Sequence, residues 1–158
     1  MRKSFKLTAL MLTVIMALCL TSLFASASTS GFVDFPTGSW SEEAMTAAVS
    51  NSLMNGKTQN PIAPKDNITR AEVATIINRA FGAEVKANIS RYTDVSSSAW
   101  YYTEMQKAVN METVRGVSDT ELMPDAYVTR EQVFTILARA LVLSDTDETK
   151  LMTFADGA

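Results

Sequence analysis

Histidine is absent from this 158-residue chain, and cysteine occurs once, at Cys19. The first absence removes the side chain that most often shuttles protons or ligates zinc near neutral pH. The second removes thiol nucleophiles, thiolate metal sites and any disulfide framework from everything beyond residue 19. No Gly-rich phosphate loop follows a strand pattern, no ligands cluster at metal spacing, and no pair of carboxylates is set apart for acid–base work. No enzyme, no metal and no cofactor is expected. A basic excess is missing as well: the formal charge of −3 argues against general attraction to nucleic acid.

Long apolar runs are also lacking, with one exception. Arg2, Lys3 and Lys6 precede an apolar stretch from Leu7 to Phe24, and Ala25-Ser26-Ala27 supplies the small residues that a signal peptidase reads. Residues 1–27 are expected to be a secretory signal, with a retained membrane anchor as the alternative; any membrane contact is expected through this segment alone. Without its three cations, 11 Lys and Arg face 17 Asp and Glu, a formal charge of −6.

What is present is a repeat. Ile68-Thr-Arg-Ala-Glu-Val-Ala-Thr-Ile-Ile-Asn-Arg-Ala80 returns sixty positions later as Val128-Thr-Arg-Glu-Gln-Val-Phe-Thr-Ile-Leu-Ala-Arg-Ala140. Thr69 with Glu72, and Thr129 with Gln132, have the spacing of a capping box, so each copy opens a helix. Behind the caps, Val73, Ile76, Ile77, Ala80 and Phe81 recur at helical spacing, as do Val133, Ile136, Leu137, Ala140 and Leu141. Upstream, Trp40 and Trp100 each start a shorter amphipathic pattern (Met45, Ala48, Val49; Met105, Ala108, Val109), with Ser39 and Glu42 placed for a further capping box. Gly56 and Gly116 are positioned to end these helices in a left-handed conformation. Aligning residues 32–81 with 92–141 gives 14 identities, concentrated at caps, breakers and core positions, where a shared structure constrains residue type. The expected fold is all-α: two helix-loop-helix units, 32–82 and 92–142, joined by a linker at 83–91. After a second linker, 143–153, Phe154-Ala-Asp156 resembles Phe32-Val-Asp34 and Tyr92-Thr-Asp94, the opening of a third unit over 154–158.

These residues carry a resemblance. An aromatic-x-Asp opening, a tryptophan at the first helix, a glycine after it, an apolar-x-Pro element and a Thr-Arg-Ala-Glu second helix are similar to S-layer homology repeats. The resemblance implies repeats packed about a pseudo-threefold axis, here partial, on a secreted protein at the cell wall or S-layer surface. It implies non-covalent binding of envelope polymers, a pyruvylated secondary cell-wall polysaccharide or peptidoglycan. The second unit departs from the pattern at Gln132, which keeps a capping partner but loses a charge.

Arg70 and Arg130 sit just inside the caps, where the helix dipole disfavours a cation. Beside free N-terminal amides an arginine suits an anion, so both are expected as ligand-binding residues; a solvated or internally paired arginine is the alternative. Trp40 and Trp100 suit either a sugar face or the core, with core favoured. Asp34 and Asp94 suit a turn cap or a ligand hydroxyl, with capping favoured. Gly56 and Gly116 are either structural or leave room for a ligand at the backbone. Two functions stand open: a carbohydrate-binding anchor, and a structural module whose free helix faces meet another copy of the chain, a third repeat or another protein.

Overall fold

The computed structural model describes residues 31–57 and 60–143. The expected signal, Cys19, all but the first residue of the linker at 143–153 and the opening of a third unit lie outside the described residues. Among the described residues four helices follow one another: α1 (Glu42–Ser50), α2 (Arg70–Ala80), α3 (Tyr102–Asn110) and α4 (Arg130–Ala140). Among the described residues there is no strand, only an isolated antiparallel bridge between Thr69 and Tyr127. The all-α expectation therefore holds, and Pro64 lies in a turn outside every helix.

The caps of α2 and α4 form as their spacing dictates. Thr69 Oγ1 accepts the Glu72 amide at 3.2 Å while Glu72 Oε2 accepts the Thr69 amide at 2.7 Å. Thr129 and Gln132 make the same exchange at 3.3 and 3.1 Å. The box expected from Ser39 and Glu42 does not form. The chain enters α1 two residues later than expected, so Glu42 is the first helical residue rather than the third, and its Oε2 accepts the Gly38 amide instead.

The C-termini correct a second expectation. The first helix of each unit is ended not by glycine but by Ser52 and Glu112, at φ 58° and 57°. The Ser52 amide bonds to Val49 O and the Leu53 amide to Ala48 O, the paired return bonds of a Schellman turn. Gly56 and Gly116 come four residues later. Gly116 is required for room: a Cβ there would stand 2.4 Å from Ser118 O and 2.9 Å from Tyr92 Cε1. Gly82 does end α2 as expected, at φ 64°, whereas its equivalent after α4 is Val142, a β-branched residue held at φ 53°.

The core is built around α2, which packs on α3 and more lightly on α4. Ala71, Ala74 and Ile77 of α2 meet a cluster that includes Met105, Ala108, Val114, Leu122 and Ile136. Fully burying an aliphatic side chain of this size contributes about 1.5–3 kcal/mol. The expected linker is part of this core: Ile89 is fully buried, and Ala87 exchanges bonds with Gln106 through its amide (3.1 Å) and carbonyl (3.2 Å). Asn78 ties α2 to α3 by donating to Glu104 O and Oε2, both at 2.8 Å. By contrast α1 buries none of its residues, so its apolar stripe is only half covered.

Candidate ligand-binding seam

The junction of the two units is made by backbone. The first free amides of α2 do not stay free: Arg70 N donates to Ala126 O and Ala71 N to Pro124 O, each at 2.9 Å, while Val128 N donates to Ile68 O at 3.2 Å. The loop before α4 thus caps α2. This corrects the expectation that open amides flank Arg70, because the capping carbonyls come from the other repeat, out of reach of any local pattern.

Arg70 itself is buried, with 8% of its surface exposed. Its Nη2 donates to the Arg115 carbonyl at 2.6 Å, and its Nε is buried without a partner. No carboxylate among the described residues forms an ion pair with it. Burial, and then the charge of Arg139, push the Arg70 guanidinium below its ordinary pKa. A desolvated cation lacking a counter-charge is costly.

Arg130 occupies the same position in the second unit and a different environment. It is exposed, and its guanidinium lies 5.1 Å from the centre of the Phe134 ring. The amides of Arg130 and Glu131 meet no carbonyl among the described residues. Phe134 and Tyr127 are exposed near this end of α4, and Leu141 is exposed at its other end.

Asp34 and Asp94 are long-range staples. Asp34 accepts the amides of Ile62 and Ala63 at 2.7 and 2.8 Å. Asp94 does the same for Leu122 (3.0 Å) and Met123 (2.7 Å). The Ile62 amide above all holds the Asp34 carboxyl below its ordinary pKa. Capping is therefore their fold role, although it spans 28 residues rather than one turn.

The tryptophans are not in the core. Trp40 is 97% exposed and Trp100 64% exposed. The residue after Trp100 takes the buried place: the Tyr101 ring meets that of Trp100 edge to face, with centroids 5.3 Å apart, and its hydroxyl donates to Asp125 Oδ2 at 2.8 Å. Trp100 reaches the rim of a cavity of about 730 Å³ that also contains Gly56 and Arg79. Gly116 lines a second cavity, of about 510 Å³, together with Arg91, Tyr92 and Arg115. The structure thus brings Arg70 to the Arg115 carbonyl beside Gly116, and Gly56 to Trp100, while Trp40 lines neither cavity.

Sequence reasoning missed Arg115 and Arg139. Arg139 carried a signal, since it repeats Arg79 at the sixty-residue offset; Arg115 carried none, because Asn55 stands in its place in the first unit. No group of three possible metal ligands occurs among the described residues, and no described helix is long and apolar enough to cross a membrane.

The model of the S-layer homology domain matches residues 31–74 and 91–134, more than half of the chain. The chain belongs to the S-layer homology (SLH) family. The Surface-layer 125 kDa protein of Lysinibacillus sphaericus is 32% identical over 119 residues, covering 75% of this chain and 10% of that protein. An Endoglucanase of a Bacillus sp. is 28% identical over 109 residues (69% of this chain, 11% of the enzyme). The Surface layer protein of Brevibacillus choshinensis is 36% identical over 93 residues (56% and 8%). The SLH chain therefore spans about a tenth of the length of these relatives. Membership places it at the cell wall or S-layer surface, in a family of wall-anchoring modules.

Proposed function

We propose that this SLH chain is a non-covalent wall anchor, without catalysis of its own, that captures an acidic envelope polymer at the junction of its two repeats. A pyruvylated secondary cell-wall polysaccharide is the ligand class, with peptidoglycan the other wall polymer of suitable chemistry. The observation that carries this reading is Arg70, a buried guanidinium with an unpartnered Nε, no carboxylate partner among the described residues and Arg139 adding a second positive charge. A pyruvyl carboxylate matches that need in charge and in planar geometry. The chain beyond residue 27 carries a formal −6, so an anionic polymer has to be held by such local cations rather than by the overall field. Arg130, exposed on its own edge, is the second contact, with Trp40, Trp100, Asp34, Asp94, Gly56 and Gly116 shaping or flanking the surface. The coupling of several modest sites on one polymer raises avidity beyond either alone.

Sedimentation with purified wall sacculi tests this. Arg70→Ala is expected to weaken binding by about 1.5–3 kcal/mol, the range for a hydrogen bond to a charged group, with the helical circular dichroism spectrum retained. Arg70→Lys recovers only part, keeping charge but not the two-pronged contact. Arg130→Ala has the smaller effect of the two. Unchanged binding with a folded spectrum removes the arginines from the ligand site.

A second reading has its own support. The amides of Arg130 and Glu131, which meet no carbonyl among the described residues, and exposed Phe134 and Tyr127 near them form a face suited to a third helix-loop-helix unit or a second copy of the chain. Failure to bind intact sacculi, with concentration-dependent sedimentation of the free protein, favours that reading over the anchor.

A further inference from the structure

The hydrophobic core is out of step with the repeats. Every residue of the buried cluster lies between Ala71 and Ile136, and none of residues 31–57 is buried. In the second unit Met105, Ala108, Thr113 and Val114 are sealed. Their equivalents Met45, Ala48, Leu53 and Met54 are only half covered, because α3 lies against α2 whereas α1 packs against no other helix among the described residues.

The hydrogen bonds and ion pairs that hold residues 31–57 to the rest are few and mostly exposed. Val33 N donates to Asn60 O and Lys57 N to Pro61 O; the Asp34 carboxylate takes the Ile62 and Ala63 amides; Lys57 Nζ reaches Asn67 O, Asp66 and Glu72; Arg79 Nη1 donates to Leu53 O at 3.2 Å. Between this segment and the body lies the cavity of about 730 Å³, with Met45, Leu53 and Met54 on one wall and Ile62, Ile68 and Ile76 on the other.

We infer that residues 32–57 form a flap that opens as one unit from the α2–α3–α4 body while that body stays folded, uncovering the apolar strip Ile62–Ile68–Ile76 beside Trp100. Opening exposes one buried apolar side chain, Ile62, and otherwise only half-covered ones, fewer than the α2–α3 contact seals, and a part of a protein with few buried apolar contacts exchanges at low free energy. Two latches set the equilibrium: the Asp34 carboxylate on the Ile62 and Ala63 amides, and the Arg79 guanidinium on the Leu53 carbonyl.

Native-state hydrogen exchange of the whole chain, read residue by residue by NMR, tests this. Amides of Glu42–Ser50 are expected to exchange roughly 100-fold or more faster, relative to intrinsic rates, than those of Tyr102–Asn110. Opening as a unit also requires the Ile62 and Ala63 amides, which lie outside α1 and are held only by Asp34, to exchange at the α1 rate. Arg79→Ala accelerates exchange throughout residues 32–57 and at Ile62 and Ala63, leaving α3 unchanged. The inference is overturned if α1 and α3 exchange at one rate. It is also overturned if α1 exchanges while Ile62 and Ala63 stay protected, which is fraying of a surface helix, or if Arg79→Ala accelerates α3 equally.

Discussion

Tyr101 shows how a single side chain divides its labour between apolar and polar partners. Its ring lies in the core and its hydroxyl donates to Asp125. Burial first, and then the Asp125 carboxylate, push its phenol from 10.0 up to about 12. A folded-state value above the unfolded one means that the contribution is complete below pH 10 and is lost as pH rises from 10 towards about 12. Urea midpoints measured across that alkaline range should fall steeply for the native chain and more gently for Tyr101→Phe. At neutral pH that variant should lose about 0.5–1.5 kcal/mol, the worth of one hydrogen bond, since the exposed Asp125 is left to water. An unchanged alkaline slope in Tyr101→Phe would show that another group titrates there. Arg70 and Arg130 teach the complementary lesson. They share the same local Thr-Arg context, yet one is buried at a carbonyl of the other repeat and one is exposed over a phenylalanine ring. The phenylalanine is a local neighbour, four residues on, where Arg70 has Ala74, but the carbonyl that receives Arg70 lies 45 residues away, beyond any local pattern.

At the scale of helices, what was legible in the sequence was whatever is decided within one turn. The boxes of Thr69 and Thr129 close over three residues, and α2 and α4 start where those residues say. The ends of α1 and α3 were not legible. Ser52 and Glu112 accept a left-handed backbone that glycine was expected to take, because the return bonds to Val49 and Ala48, and to Val109 and Ala108, stabilise the turn. Nor was the fate of the tryptophans legible, since burial there depends on whether a neighbouring helix arrives, and it is Tyr101 that the neighbour covers. Two helices with almost the same apolar stripe therefore differ in what they contribute. Met105→Ala should destabilise by about 2–5 kcal/mol, as expected for a fully buried methionine. Met45→Ala, on the half-covered stripe, should cost less than about 1 kcal/mol by the same reasoning. Chemical denaturation of the two variants side by side checks this; equal losses would mean that α1 is integral to the core.

For the whole molecule, the repeat read from sequence and the unit held together by packing are not the same object. The repeat runs from the aromatic-x-Asp opening through a Thr-Arg helix, whereas the buried cluster begins in the Thr-Arg helix of one repeat and ends in that of the next. A chain cut between Gly82 and Arg91 leaves α2 on one piece and α3 with α4 on the other. Neither piece should show a cooperative thermal transition by circular dichroism. A chain begun at Asn60 keeps the whole cluster and should retain that transition; its loss would show that α1 completes the core. The offset also bears on how such modules can be recombined. A cassette exchanged at the visible repeat boundary carries half of two cores and is compatible only with a recipient whose facing surface already matches. One exchanged at the start of a Thr-Arg helix carries its packing partners with it, so the interchangeable part of this protein is shifted by half a repeat from the part that looks interchangeable.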